Sequence, residues 1–150
     1  MNKDHGEKIR IHMCDDDPDD RLLLQDALLE VRLENAFDCS EDGQDLLDYL
    51  KRRGRYQDLR DEPLPGLILL DLNMPRKDGR EALKEIKNDP DLRRIPVVIL
   101  TTSKAEEDIL RTYDLGVNSF IVKPVTFEKL VDAVRTVTDY WFRIVRLPSQ

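Results

Sequence analysis

What this chain has little of narrows its class before any motif is read. It carries two cysteines in 150 residues, Cys14 and Cys39. They stand far apart, with neither zinc-site spacing nor the density of a disulfide scaffold, so a reduced, cytoplasmic protein is expected. No apolar run approaches the length that crosses a bilayer, and no secretion signal opens the chain, so no membrane role is expected. Cationic excess is missing as well: 24 Lys and Arg face 31 Asp and Glu, a formal net charge of -7. That balance opposes a nucleic-acid module working through its overall field, and no nucleic-acid partner is expected. Repeats and low-complexity tracts are absent, which sets solenoids aside.

What is present suits one domain with a real core, since 40% of the residues are hydrophobic beside 37% charged. Apolar periodicity switches between short strands and longer helices. Strands are predicted over 8–14, 35–39, 66–70, 95–101 and 119–122, and helices near 18–33, 43–53, 80–88, 105–114 and 126–141. Five strand–helix units in alternation predict a parallel α/β sheet. The polar residues 1–7 are expected to be disordered, and 53–65, with Pro63 and Pro65, to be a connection.

Ligands of open α/β sheets bind beyond the carboxyl ends of the strands. The first strand runs into "CDDDPDD", with Asp15 and Asp16 at its tip, and the third ends in Asp71 within "LILLDLNMPRKDG". The fourth ends in Thr101 and Thr102, and the fifth in Lys123, just before Pro124. If strands one and three are neighbours, Asp15, Asp16 and Asp71 converge. Three such charges raise one another's pKa unless a cation sits among them, and a hard divalent ion such as Mg2+ suits oxygen ligands. Asp71 then reads as nucleophile and ligand at once.

Other charged residues have plainer roles. Asp17 to Asp20, around Pro18, read as a helix cap and dipole partners rather than as a calcium loop, whose tight turn wants Gly where Asp20 stands. His12 reads as a neutral residue facing the core or a helix layer. Lys51, Arg52, Arg53 and Arg55 read as cations at a helix C-terminus, with Gly54 as its stop.

Taken together, the acidic pair after strand one, "LLDLNMPRKDG" around Asp71, "ILTT" after strand four and "VKP" after strand five resemble the receiver domains of two-component response regulators. The resemblance covers nearly the whole chain. It implies a doubly wound α/β fold, a five-stranded parallel sheet of order 2-1-3-4-5 flanked by five helices. It also implies that Asp71 accepts a phosphoryl group from a sensor histidine kinase, with Asp16 binding Mg2+ directly, Asp15 binding it through water, and Asn73 lending its backbone carbonyl. Thr101 would bind the phosphoryl group, Lys123 would pair with Asp71 and then with a phosphoryl oxygen, and Phe120 would be the aromatic switch. Such a protein is a signalling switch rather than a turnover enzyme. A metal-dependent phosphatase with its aspartyl nucleophile after strand one, and an interaction module that takes no phosphate, are the alternatives.

The chain's last residues add a subtype. "TDYWFRIVRLPSQ" crowds Tyr140, Trp141, Phe142, Ile144, Val145 and Leu147 into a segment that a minimal receiver does not need. This ending and the loops before strands three and four are similar to small response regulators paired with bacterial phytochrome kinases. The expected division is a receiver over 8–138 and an extension over 139–150 that forms a homodimer with a second copy.

Overall fold

In this computed structural model the described residues are 10–31, 37–72, 79–101, 104–111, 117, 119–123 and 126–140. In chain order they form β1 (Ile11–Cys14), α1 (Pro18–Glu30), β2 (Phe37–Ser40), α2 (Gly43–Leu50), a 3-10 segment (Gly54–Leu59) and β3 (Leu67–Asp71). These are followed by α3 (Gly79–Asn88), β4 (Val97–Thr101), α4 (Lys104–Arg111), β5 (Ser119–Val122) and α5 (Phe127–Asp139). The strands pair in parallel in the order β2-β1-β3-β4-β5, the expected sheet.

Strands β1, β3 and β4 are buried along their whole length, which explains why their sequences read as continuous apolar runs rather than as alternations. Alternate residues still serve different layers. Ile68, Leu70 and Ile99 join Leu46, Leu47, Leu83 and Ile86 under α2 and α3, whereas Leu67, Leu69 and Val98 join Leu24, Leu28 and Val134 under α1 and α5. Each such side chain contributes about 1.5–3 kcal/mol of burial. The helices begin where side chains satisfy their first amide groups. Asp17 accepts from Asp19 N, Asp42 from Asp45 N and Thr126 from Lys129 N.

Several boundaries differ from the sequence expectation. β1 starts at Ile11 and β4 at Val97. Ile95 is drawn into a turn in which its amide donates to Leu92 O, so it cannot also extend the strand. α2 stops at Leu50, and Gly54 is not its stop: Arg52 takes the left-handed conformation, φ 55°. Its guanidinium holds that turn by donating to Tyr49 O and Pro63 O, at 2.7 and 3.0 Å. The neighbouring cations are paired, Lys51 with Glu85, Arg53 with Asp48 and Arg55 with Asp45.

His12 is fully buried and accounts for the polar pattern of a central strand. Its Nδ1 lies 2.7 Å from Asp38 Oδ1, its Nε2 lies 2.9 Å from Ser40 Oγ, and its ring stacks on Tyr49. Tyr49 OH and Arg10 also donate to Asp38. Burial alone would push the Asp38 carboxyl up, but hydrogen bonds from His12, Tyr49 and Arg10 hold it below the usual carboxylate range. Neither cysteine is in a disulfide, and burial pushes the thiols up, that of Cys39 to about 11, so neither is a reactive thiolate near neutrality.

Candidate functional site

The site follows from the adjacency of β1 and β3. Cys14 is in register with Leu70, so Asp15 and Asp71, the next residues, emerge side by side at the carboxyl edge. Oxygens of Asp15, Asp16 and Asp71 lie within 4.8 Å of one another. Asp15 is fully buried and Asp16 is exposed. The backbone of Asp15 is pinned, because its amide donates to Ser40 O and its carbonyl accepts from Arg21 at 2.6 Å.

Lys123 arrives from the end of β5, its amide donating to Thr101 O at 2.8 Å. Its ammonium then meets three carboxylates: Asp15 Oδ2 at 2.9 Å, Asp71 Oδ2 at 3.1 Å and Asp20 Oδ2 at 3.1 Å. Burial works against this charge, but Asp15, Asp71 and Asp20 raise the lysine well above its ordinary range, and it stays protonated. For Asp15 burial prevails. Its carboxyl is raised despite hydrogen bonds from Asp17 N and Lys123.

Two further features shape the edge. A Cβ on Gly79, at the start of α3, would lie 2.5 Å from Asp71 O and 2.6 Å from Leu72 Cα, so only glycine lets α3 close on the end of β3. Thr101 is buried, and its hydroxyl donates to Ile121 O at 3.3 Å. Phe120 is half-buried against the α2 and α3 layer.

The sequence-predicted residues Asp15, Asp16, Asp71 and Lys123 therefore come together, with Thr101 beside them at the end of β4. Asn73, Thr102, Pro124, the N-terminal stretch 1–7 and the tail from Trp141 lie outside the described residues. Asp20, which the sequence marks only as part of a helix-cap and dipole run, joins Asp15 and Asp71 through Lys123. Its placement three residues into α1, aimed back at the strand ends, is a signal that the acidic run hid. The donor set fits a hard divalent cation: all its ligand atoms are carboxylate oxygens, and one ammonium leaves the cluster with excess negative charge.

The receiver profile, "Response regulator receiver domain", matches residues 11–135. The chain belongs to the receiver family of response regulators. It is 40% identical to response regulator Rcp1 of Synechocystis sp. over 139 residues, 93% of this chain and 92% of that protein. Among solved structures it is similar to the phosphorylated cyanobacterial phytochrome response regulator RcpA, with TM-score 0.83, 40% identity and coverage of 95% and 100%. It is similar also to the bacteriophytochrome response regulator AtBRR, with TM-score 0.76, 42% identity and coverage of 86% and 91%. Rcp1 has been solved with Mn2+ bound.

Receivers accept a phosphoryl group on an aspartate and take it from sensor histidine kinases. The phosphatase alternative is not favoured. Its nucleophile after strand one would be Asp15, which is buried and has its two carboxylate oxygens engaged by Asp17 N and Lys123. Among the described residues, no helix is long and apolar enough to cross a membrane.

Proposed function

We propose that this chain takes a phosphoryl group on Asp71 from the phosphohistidine of a sensor kinase, in a reaction that needs Mg2+, and signals through the resulting change of shape. One observation carries the reading: a single ammonium bridges the strand-end carboxylate Asp71 and its buried neighbour Asp15. An Asp71 oxygen attacks phosphorus in line, the P–N bond breaks, and the imidazole keeps the electron pair. Asp16 directly, Asp15 through water and the backbone carbonyl of Asn73 would hold Mg2+, which when bound neutralises charge on the transferring oxygens.

Lys123 stabilises a phosphoryl oxygen, so no separate acid or base is required. The new group carries nearly two negative charges and draws the Thr101 hydroxyl away from Ile121 O, and Phe120 repacks into the space left. The protein acts as a switch and not by turnover. Its unit is the receiver over 8–138 in the cytoplasm. The extension 139–150, with Trp141, Phe142, Ile144 and Leu147, joins two copies. Similarity to regulators named for phytochromes supports a phytochrome-type kinase as the donor.

A small phosphodonor with Mg2+ tests the chemistry. Stoichiometric acid-labile phosphate that disappears in Asp71→Asn is the expected result. Label persisting in Asp71→Asn refutes the acceptor, and continued turnover would mean a phosphatase. Truncation after residue 138 tests the dimer by light scattering: the shortened chain should be monomeric.

A further inference from the structure

We infer that Asp20 is a positioning residue that holds the Lys123 ammonium in its resting arrangement and competes with an incoming phosphoryl group for it. The inference builds on Asp71 as the acceptor. A lysine ammonium has three protons to donate, and here all three find carboxylates, on Asp15, Asp20 and Asp71. Asp20 differs from the other two. It is no part of the carboxylate cluster that suits a metal, and its side chain is 34% exposed, against 0% for Asp15 and 9% for Asp71. Nor is it needed as the helix cap, because Asp17 accepts from Asp19 N.

Once Asp71 is phosphorylated, the oxygens that seek the ammonium stand a bond length beyond the carboxylate. Lys123 has no spare proton to offer them, so it must slacken an existing contact as it moves. Asp15 is buried and pinned at both its backbone groups. The contact to Asp20, from a different element and closer to solvent, is the one that yields. Its charge therefore stabilises the resting state relative to the phosphorylated one.

The test is a titration with beryllofluoride, a phosphoryl mimic, at saturating Mg2+. Asp20→Asn and Asp20→Ala should each tighten binding by roughly threefold to tenfold, the scale of one partly exposed charge pair. Asp20→Glu, which restores the charge, should stay within about twofold of wild type on the same scale. Asp19→Asn removes a neighbouring exposed charge and serves as the control for the general field. Equal tightening in Asp19→Asn, or Asp20→Asn binding no better than wild type, or Asp20→Glu behaving as Asp20→Asn, each overturns the proposal. Failure of the wild type to take beryllofluoride overturns the functional reading and this proposal with it, whereas binding that the Asp20 variants leave unmoved overturns this proposal alone.

Discussion

Two polar clusters flank β1, and they are opposites. Around Asp38, one carboxylate receives hydrogen bonds from His12, Tyr49 and Arg10, and the His12 ring is occupied at both nitrogens. Around Lys123, three carboxylates compete for one ammonium and Asp16 adds a fourth charge nearby. The first cluster is balanced and the second is not. A buried polar group with all its partners fixes structure, whereas an excess of like charge is a standing cost that a bound divalent cation would relieve.

The largest expected contrast is in chemistry. Asp71→Asn should abolish labelling by a phosphodonor, and Asp38→Asn should leave stoichiometric labelling in place, both read as acid-labile phosphate. Loss of label in a folded Asp38→Asn chain would break the division between the clusters. Stability should invert the ranking. Asp38→Ala strands His12 and Arg10, and urea unfolding should show a loss of about 2–3 kcal/mol. Asp71→Asn relieves repulsion and should cost nothing.

Gly79→Ala sharpens the comparison from the backbone side. The added methyl meets the Asp71 carbonyl and Leu72 Cα, both backbone atoms, so the strand end must shift. A loss of about 1–3 kcal/mol is expected, with weaker Mg2+ binding, while the Asp38 cluster keeps its hydrogen bonds by NMR.

The smallest effect is in pH. Asp38 has its pKa lowered in the folded chain, through His12, Tyr49 and Arg10 acting against burial. Its contribution is therefore present above the ordinary carboxylate pKa and is lost as pH falls through the lower, folded value. Asp15 has the opposite sign: its raised carboxyl favours the folded state at low pH, and that contribution fades as pH rises through the folded value. The stability difference between wild type and Asp38→Asn should shrink as pH falls below about 4, followed by urea midpoints. A difference that stays constant would mean that Asp38 acts without its charge.

Much of this was legible in the residues because periodicity and strand-end chemistry are local. The apolar runs ending in Asp71 and Thr101 named β3 and β4, and Asp17 with Pro18 marked the start of α1. Boundaries were less legible where backbone bonds compete. Ile95 looks like strand and lies in a turn, and Arg52 ends a helix that glycine was expected to end. The Asp38 network was hidden for another reason, since its members come from β1, β2, α2 and the residue before β1.

The sequence by itself determined the α/β alternation and the acidic and basic groups at the strand ends, Asp71 among them. These depend on spacing along one chain, which periodicity and composition record directly. Only the tertiary structure decided that Lys123 is shared among three carboxylates and that Asp20 is one of them. Lys123 and Asp20 are 103 residues apart in sequence. Their meeting is set by strand order and by the packing of α1 beside α5, and no local pattern encodes either.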